Sequence, residues 1–162
     1  MQEPQRSVID IEASGFGRQS YPIEVGFVRD DGQAWCSLVL PAGDWLHWDA
    51  QAERVHGITR AALLQHGRPV QEVAQRLNDD LAGRIVYCDG WAHDYTWLAL
   101  LFETAGLVPR FRLDSVNALL DEARLAQLDA TRQQAFGVLG VGRHRASSDA
   151  RALQWALHAL AA

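Results

Sequence analysis

The stretch Ser7-Val8-Ile9-Asp10-Ile11-Glu12-Ala13-Ser14-Gly15 limits this chain more than any other. Its β-branched residues, Val8, Ile9 and Ile11, favour an extended strand. Alternate side chains of a strand share a face, so Asp10 and Glu12 project together while Ile9 and Ile11 project from the other side. Two carboxylates side by side on a buried strand repel each other, and burial disfavours their ionisation. A divalent cation offsets both costs. The spacing alone leaves a second arrangement open, a sheet-edge strand with its acidic face in water.

The rest of the chain bounds the fold. Its 162 residues, 48% of them hydrophobic, suit one domain over 1–162 with a sizeable core. No stretch nears the ~20 apolar residues of a membrane span. Met1-Gln2-Glu3-Pro4 has neither the basic nor the apolar segment of a secretory leader, so none is expected. Cys36 and Cys88 lack metal-type spacing and read as free thiols in a reducing, cytoplasmic setting. A formal net charge of −5 disfavours sequence-independent nucleic-acid binding by bulk electrostatics. All fifteen basic residues are Arg, a side chain suited to bidentate phosphate contacts, although genome composition gives the same bias.

Taken in order, the first strand is followed by a turn at Ser14-Gly15-Phe16-Gly17. Ile23–Val28 and Ala34–Leu40 are apolar or alternating and flank Asp30-Asp31-Gly32, which predicts a hairpin and hence a three-strand antiparallel opening. Pro41–Trp48 is loop-like. A short helix is expected between Thr59 as N-cap and Gly67 as stop. Val70, Val73, Ala74, Leu77 and Leu81 then mark one face of an amphipathic helix opened by Pro69 and closed by Gly83. Arg84–Cys88 reads as a buried strand. Asp94 begins the next helix and heads a stripe of Leu98, Leu101 and Ala105. A short strand at Phe111–Leu113, helical sequence from Asp114 to about Leu128, and a last helix from Ser147 or Ser148 complete an α/β fold with a mixed sheet.

The C-terminal signal is Arg143-His144-Arg145-Ala146-Ser147-Ser148-Asp149. Asp149 falls in a first helical turn, where the helix dipole favours a carboxylate. His144 lies in the preceding loop, free to fold over a site. Taken alone, His144 is more often a solvated loop residue and Asp149 more often a capping acid.

Together, Asp10-Ile11-Glu12 with Ser14-Gly15, then His56-Gly57-Ile58-Thr59, then Asp94, then His144 and Asp149 resemble the DEDDh group of 3′–5′ exonucleases. That group includes bacterial proofreading subunits and ribonuclease T. The resemblance follows the family's order and covers about residues 7 to 160. It implies a ribonuclease H-like three-layer fold, with a central mixed five-stranded sheet flanked by helices. It also implies two divalent cations, Mg²⁺ or Mn²⁺, held by Asp10, Glu12, Asp94 and Asp149, with His144 as general base. An imidazole suits that work, since its ordinary pKa of about 6.5 lies near neutrality. The implied reaction is two-metal hydrolysis of phosphodiester bonds, releasing nucleoside monophosphates from the 3′ end of single-stranded DNA or RNA.

Ser14, Gly15, Phe16, His56, Gly57 and Ile58 are the family's grips on the terminal nucleotide, with Phe16 and Ile58 on either side of its base. Core packing is the other reading of both. Trp45, Trp48 and Trp91 read either as packing or as added stacking surface. Arg143 and Arg145 read either as phosphate contacts or as solvated charges. The chain departs from the family at Ala13, where Thr is usual. It also lacks the usual His-Asn pair before Asp94, carrying Cys88-Asp89-Gly90, with His93 in place of an aromatic. Asp89 adds a carboxylate that either disturbs cation binding or does nothing. Rival readings are a catalytically weak module binding a polymerase or another protein, and an RNA-trimming enzyme of the ribonuclease T kind. Homodimerisation and a polymerase partner are both left open; no membrane partner is expected.

Overall fold

The structure is a computed structural model and describes residues 5–161, so the leader reading on Met1–Pro4 lies outside the described residues. Its centre is a five-stranded sheet in the order β3-β2-β1-β4-β5. β1 (Ser7–Ala13), β2 (Pro22–Val28) and β3 (Ala34–Leu38) form the expected antiparallel meander. Gly32 closes the β2–β3 turn at φ +83°, a left-handed conformation that glycine adopts without strain. β4 (Ile85–Cys88) pairs parallel to β1, and β5 (Arg112–Ser115) parallel to β4. β1 therefore has neighbours on both sides, which eliminates the sheet-edge arrangement. Its two acids must be accommodated inside the fold.

Helices cover both faces. α2 (Arg60–His66) is capped by the Thr59 side chain, which accepts from the Ala62 N–H, and it stops at Gly67. α3 (Val70–Leu81) buries the five apolar positions predicted for it. With α4 (Trp91–Ala105) it packs on the face carrying Ile9, Ile11 and Ala13. The opposite face carries Val8, which packs with Leu128 of α5 (Glu122–Leu139) and with Leu153 and Leu157 of α6 (Ala146–Ala161). The period-2 alternation of β1 places Asp10 and Glu12 on this α6 side. Among the described residues, no helix is long and apolar enough to cross a membrane.

Several boundaries differ from the sequence reading. β3 ends at Leu38; Val39 still donates its N–H to the Ile23 carbonyl at 2.9 Å and also forms an isolated parallel bridge with Arg68. α1 (Ala50–His56), capped by Asp49, occupies sequence that no apolar periodicity marked. α4 begins at Trp91, so Asp94 lies inside its first turn and donates its N–H to the Gly90 carbonyl at 2.9 Å. The segment after β5 is a 3₁₀ turn at Val116–Ala118; the long helix starts only at Glu122, capped by Asp121, and runs on to Leu139.

One close approach fixes where α6 starts. A Cβ on Gly26 would lie 2.6 Å from the Ala146 carbonyl carbon, so only glycine lets the first turn of α6 rest on β2. Gly26 is the register partner of Asp10. The helix that carries Asp149 is thereby seated beside Asp10.

Candidate active site

Four acids from three elements meet at the C-terminal end of β1. Carboxylate oxygens of Asp10, Glu12 and Asp149 all lie within 4.8 Å of one another. Oxygens that share one cation at about 2.0–2.6 Å can be no more than about twice that distance apart, so this trio fits a single divalent ion. Asp94 is 5% exposed and lines the same cleft from α4; its charge acts on both Asp10 and Glu12. Among the described residues, Asp10 Oδ2 is buried without a hydrogen-bond partner. A buried carboxylate oxygen left unpaired is costly unless a cation takes it.

The electrostatics agree with that geometry. Burial, then the charges of Asp94, Glu12 and Asp149, hold the Asp10 carboxyl well above the ordinary range, with Arg132 pulling the other way. Burial followed by the Asp149 and Glu24 charges pushes Glu12 up to about 8. Burial raises Asp94 to about 7, and it raises Asp149 as well. Without a cation these acids resist ionisation. Oxygen donors of this kind suit a hard divalent cation. Burial and the neighbouring Asp94 also drive the Cys88 thiol far up, so Cys88 stays protonated and is no nucleophile.

His144 sits in the loop before α6 at φ +63°, the one non-glycine residue with positive φ among those described. Its backbone N–H donates to both carboxylate oxygens of Asp149, at 3.2 and 3.1 Å. The residue lines the cleft with Asp10 and Glu12. Asp149 therefore both contributes an oxygen to the acidic cluster and fixes the backbone that carries the imidazole.

The cleft has a volume of about 570 Å³, enough for one nucleotide. Gly15 and Phe16 form part of its wall, and so does the buried His56. A Cβ on Gly15 would fall 2.7 Å from Asp49 Cβ, so the loop after β1 can press on the cap of α1 only as glycine. Phe16 is 69% exposed and meets His93 edge-on, with ring centroids 5.1 Å apart; His93 in turn stacks on Trp97 at 5.5 Å. The other substrate-contact candidates lie elsewhere. Ile58 is 4% exposed, packed in the core, and donates its N–H to His56 Nδ1. Gly57 is the left-handed C-cap of α1. The Ser14 hydroxyl accepts from the Tyr21 N–H at 3.1 Å and lies 2.9 Å from His47 Nδ1. Neither Ile58, Gly57 nor Ser14 lines the cleft.

The tryptophans divide. Trp45 is buried and stacked on Tyr21, and Trp48 donates its indole N–H to Glu53 at 2.6 Å. Trp91 is 41% exposed and stacks on Tyr95.

Three residues that the sequence reading passed over shape the site. Glu24, 2% exposed, accepts from Arg145 Nη2 at 2.7 Å and from the Ala146 N–H at 2.7 Å. Arg145 is thus tied into a structural clamp and is not a free phosphate contact. The sequence signal was an acid inside the otherwise apolar run Ile23-Glu24-Val25. With Gly26, this clamp seats the first turn of α6. Glu24→Ala leaves the buried Ala146 N–H without an acceptor, at a cost of about 2–3 kcal/mol. The melting temperature is then expected to fall by about 5–10 °C. An unchanged thermal transition would show that the clamp does not hold the loop. The third residue, Arg132 of α5, ion-pairs with Asp89. The extra carboxylate is therefore neutralised.

No protein-family model matches the sequence, and no curated protein matches it either. Solved structures do match the fold. Exonuclease I from Methylocaldum szegediense superposes with a TM-score of 0.70 at 16% identity, over 93% of this chain and 38% of that one. E. coli exonuclease I in complex with a dA16 oligonucleotide gives 0.69 at 14%, over 94% and 39%. The zinc-ion-bound E. coli exonuclease I–ssDNA complex gives 0.68 at 14%, over 93% and 39%. This chain therefore has the ribonuclease H-like fold seen in exonuclease I, and it spans only about two-fifths of that enzyme's length.

Proposed function

We propose that this chain is a divalent-metal-dependent 3′–5′ exonuclease that cuts phosphodiester bonds at the 3′ end of single-stranded DNA or RNA and releases nucleoside monophosphates. The observation that carries the reading is the buried, unpartnered Asp10 carboxylate oxygen, ringed by Glu12, Asp94 and Asp149 in a nucleotide-sized cleft. The polarity and the substrate class are taken from the resemblance to DEDDh exonucleases, and the fold shared with exonuclease I supports that reading. A protein-binding scaffold has no need to keep four carboxylates so close together in its interior. The two free thiols, Cys36 and Cys88, suit a cytoplasmic setting.

Asp10, Glu12 and Asp149 would hold one cation, and Asp94 with Asp10 a second. Divalent cations bound there supply Lewis acidity toward the phosphate and its leaving oxygen. The residues of the chain do the rest. Phe16 and the His93–Trp97 stack present aromatic surface to the terminal base. His144 accepts on its imidazole the proton of the water that attacks phosphorus. Water adds, the bond from phosphorus to the 3′ oxygen breaks, and the shortened strand leaves with a 3′ hydroxyl. The terminal residue departs as its 5′-monophosphate. Asp149 holds the His144 backbone while this happens.

The direct test is digestion of matched, 5′-labelled single-stranded DNA and RNA oligonucleotides in Mg²⁺ or Mn²⁺. A ladder of labelled products shortened from the 3′ end, stopped by EDTA, is expected; intact oligonucleotide under every condition overturns the reading. A second test needs no substrate. Glu12 and Asp94 titrate in the fold at about 8 and about 7, against ordinary values of 4.5 and 3.8. The folded chain thus holds protons that the unfolded chain releases. In EDTA, this stability is fully present below the ordinary carboxylate range and is lost as pH rises through the folded values. Cation binding at about a hundred times its Kd should restore about 3 kcal/mol, or about 5–10 °C, at the alkaline end. A melting temperature independent of both pH and cation would remove the metal site from the proposal.

A further inference from the structure

The buried stripe of α5 contains one position that does not belong to a core. Leu125, Leu128, Ala135, Phe136 and Leu139 are its apolar members, packed wholly or partly against their neighbours, and Arg132 falls among them at helical spacing. A cation on such a stripe is retained at a cost in desolvation. Its side chain is 17% exposed and reaches the cleft lined by Asp10, Glu12, Asp94 and His144. Nη1 donates to Asp89 at 2.5 Å, and Nε is buried with no partner among the described residues. Among the described residues, the guanidinium makes no other hydrogen bond, although it carries several N–H donors in a planar fork. It is thus held by one arm, with donor capacity unspent, beside carboxylates that would bring a phosphate to them.

We propose that Arg132 is a phosphate-binding residue of this cleft, its guanidinium donating to a non-bridging oxygen of the phosphodiester seated at the carboxylates. The proposal rests on the exonuclease reading above. Asp89 is the anchor that keeps the arm extended toward the cleft. The planar fork matches a phosphate's oxygens better than an ammonium does. The competing account is that Arg132 only neutralises Asp89 and lends positive charge to the acidic cluster.

The two accounts separate in Arg132→Gln, Arg132→Lys and the paired variant Asp89→Asn with Arg132→Gln. Each is assayed as the full chain on a 5′-labelled single-stranded oligonucleotide in Mn²⁺, with calorimetry for Mn²⁺ binding. A lost charge-assisted hydrogen bond should lower kcat/KM of Arg132→Gln by about 10- to 100-fold. Mn²⁺ affinity should hold or rise, since a cation has left the cluster. Arg132→Lys should recover part of the rate, and the paired variant should stay as slow as Arg132→Gln. Recovery of the wild-type rate by the paired variant, or an unchanged rate in Arg132→Gln, overturns the phosphate contact and leaves the exonuclease reading standing. A wild-type chain that cleaves no oligonucleotide overturns both.

Discussion

Asp10→Asn is expected to lower the rate of oligonucleotide digestion by about 10³-fold or more, and at the same time to raise the melting temperature of the metal-free chain. The two effects have one origin. Asp10 is ringed by Asp94, Glu12 and Asp149, and one of its oxygens is buried and unpaired. In EDTA near neutral pH, that carboxyl either ionises against three like neighbours or keeps a proton that the unfolded chain would release. Both options cost stability. The amide carries no charge, fits the same space and can donate toward Glu12 and Asp149, so the metal-free fold gains several degrees. The loss of a ligand charge weakens cation binding, and saturating Mn²⁺ should therefore stabilise the variant much less than the wild type. The order of the two melting curves should invert when the cation is added. Digestion at the wild-type rate, or a variant less stable than wild type in EDTA, would show that Asp10 is an ordinary core acid.

The contrast between what was readable in the sequence and what was not follows the range of the forces involved. The β-branched run around Asp10 and Glu12, the Asp-Gly turn at Gly32 and the apolar stripe of α3 are local patterns; each formed where the residues indicated. The first-turn position of Asp149 was legible because an acid before an apolar stripe is also a local pattern. α1 escaped notice because its seven residues bury only His56, so no periodicity advertises it. Its signals were capping ones, Asp49 before and Gly57 after. α5 was cut short at Leu128 because a charged residue, Arg132, interrupts the stripe that continues to Leu139. That interruption is the feature of most interest in the helix. Ile58 follows the packing alternative, an apolar residue of a family contact motif that this fold buries in its core.

Long-range partnerships were beyond any local reading. Glu24 and Arg145 are 121 positions apart, and Asp89 and Arg132 are 43 apart. In each pair, one member sits in a segment whose pattern gave no hint of the other. These two pairs organise the cleft: the first seats the α6 start beside Asp10, and the second brings a guanidinium to its edge. The four acids were grouped through the family resemblance, since each of them alone has an ordinary reading as an edge-strand or capping acid. The groups that position them leave a fainter trace, one ionic residue in an apolar strand or stripe.

Replacing His144 tests whether the imidazole moves a proton or merely belongs to a strained turn. The residue holds φ +63°, and its N–H is bonded to Asp149. Alanine is disfavoured at that φ by about 1 kcal/mol, so a loss of activity in His144→Ala would mix strain with chemistry. His144→Gly resolves this, because glycine takes the left-handed conformation freely and keeps the backbone N–H that Asp149 requires. Loss of a general base costs about 10²–10⁴-fold. Both variants are therefore expected to lose kcat in that range, with similar KM and undiminished Mn²⁺ binding, and His144→Gly is expected to be the more stable of the two. A strong, added small imidazole should restore part of the rate to His144→Gly, since the vacated space opens onto the cleft, and should do nothing for Asp10→Asn. If His144→Gly digests oligonucleotides at the wild-type rate, the proton goes elsewhere and the residue is only a turn.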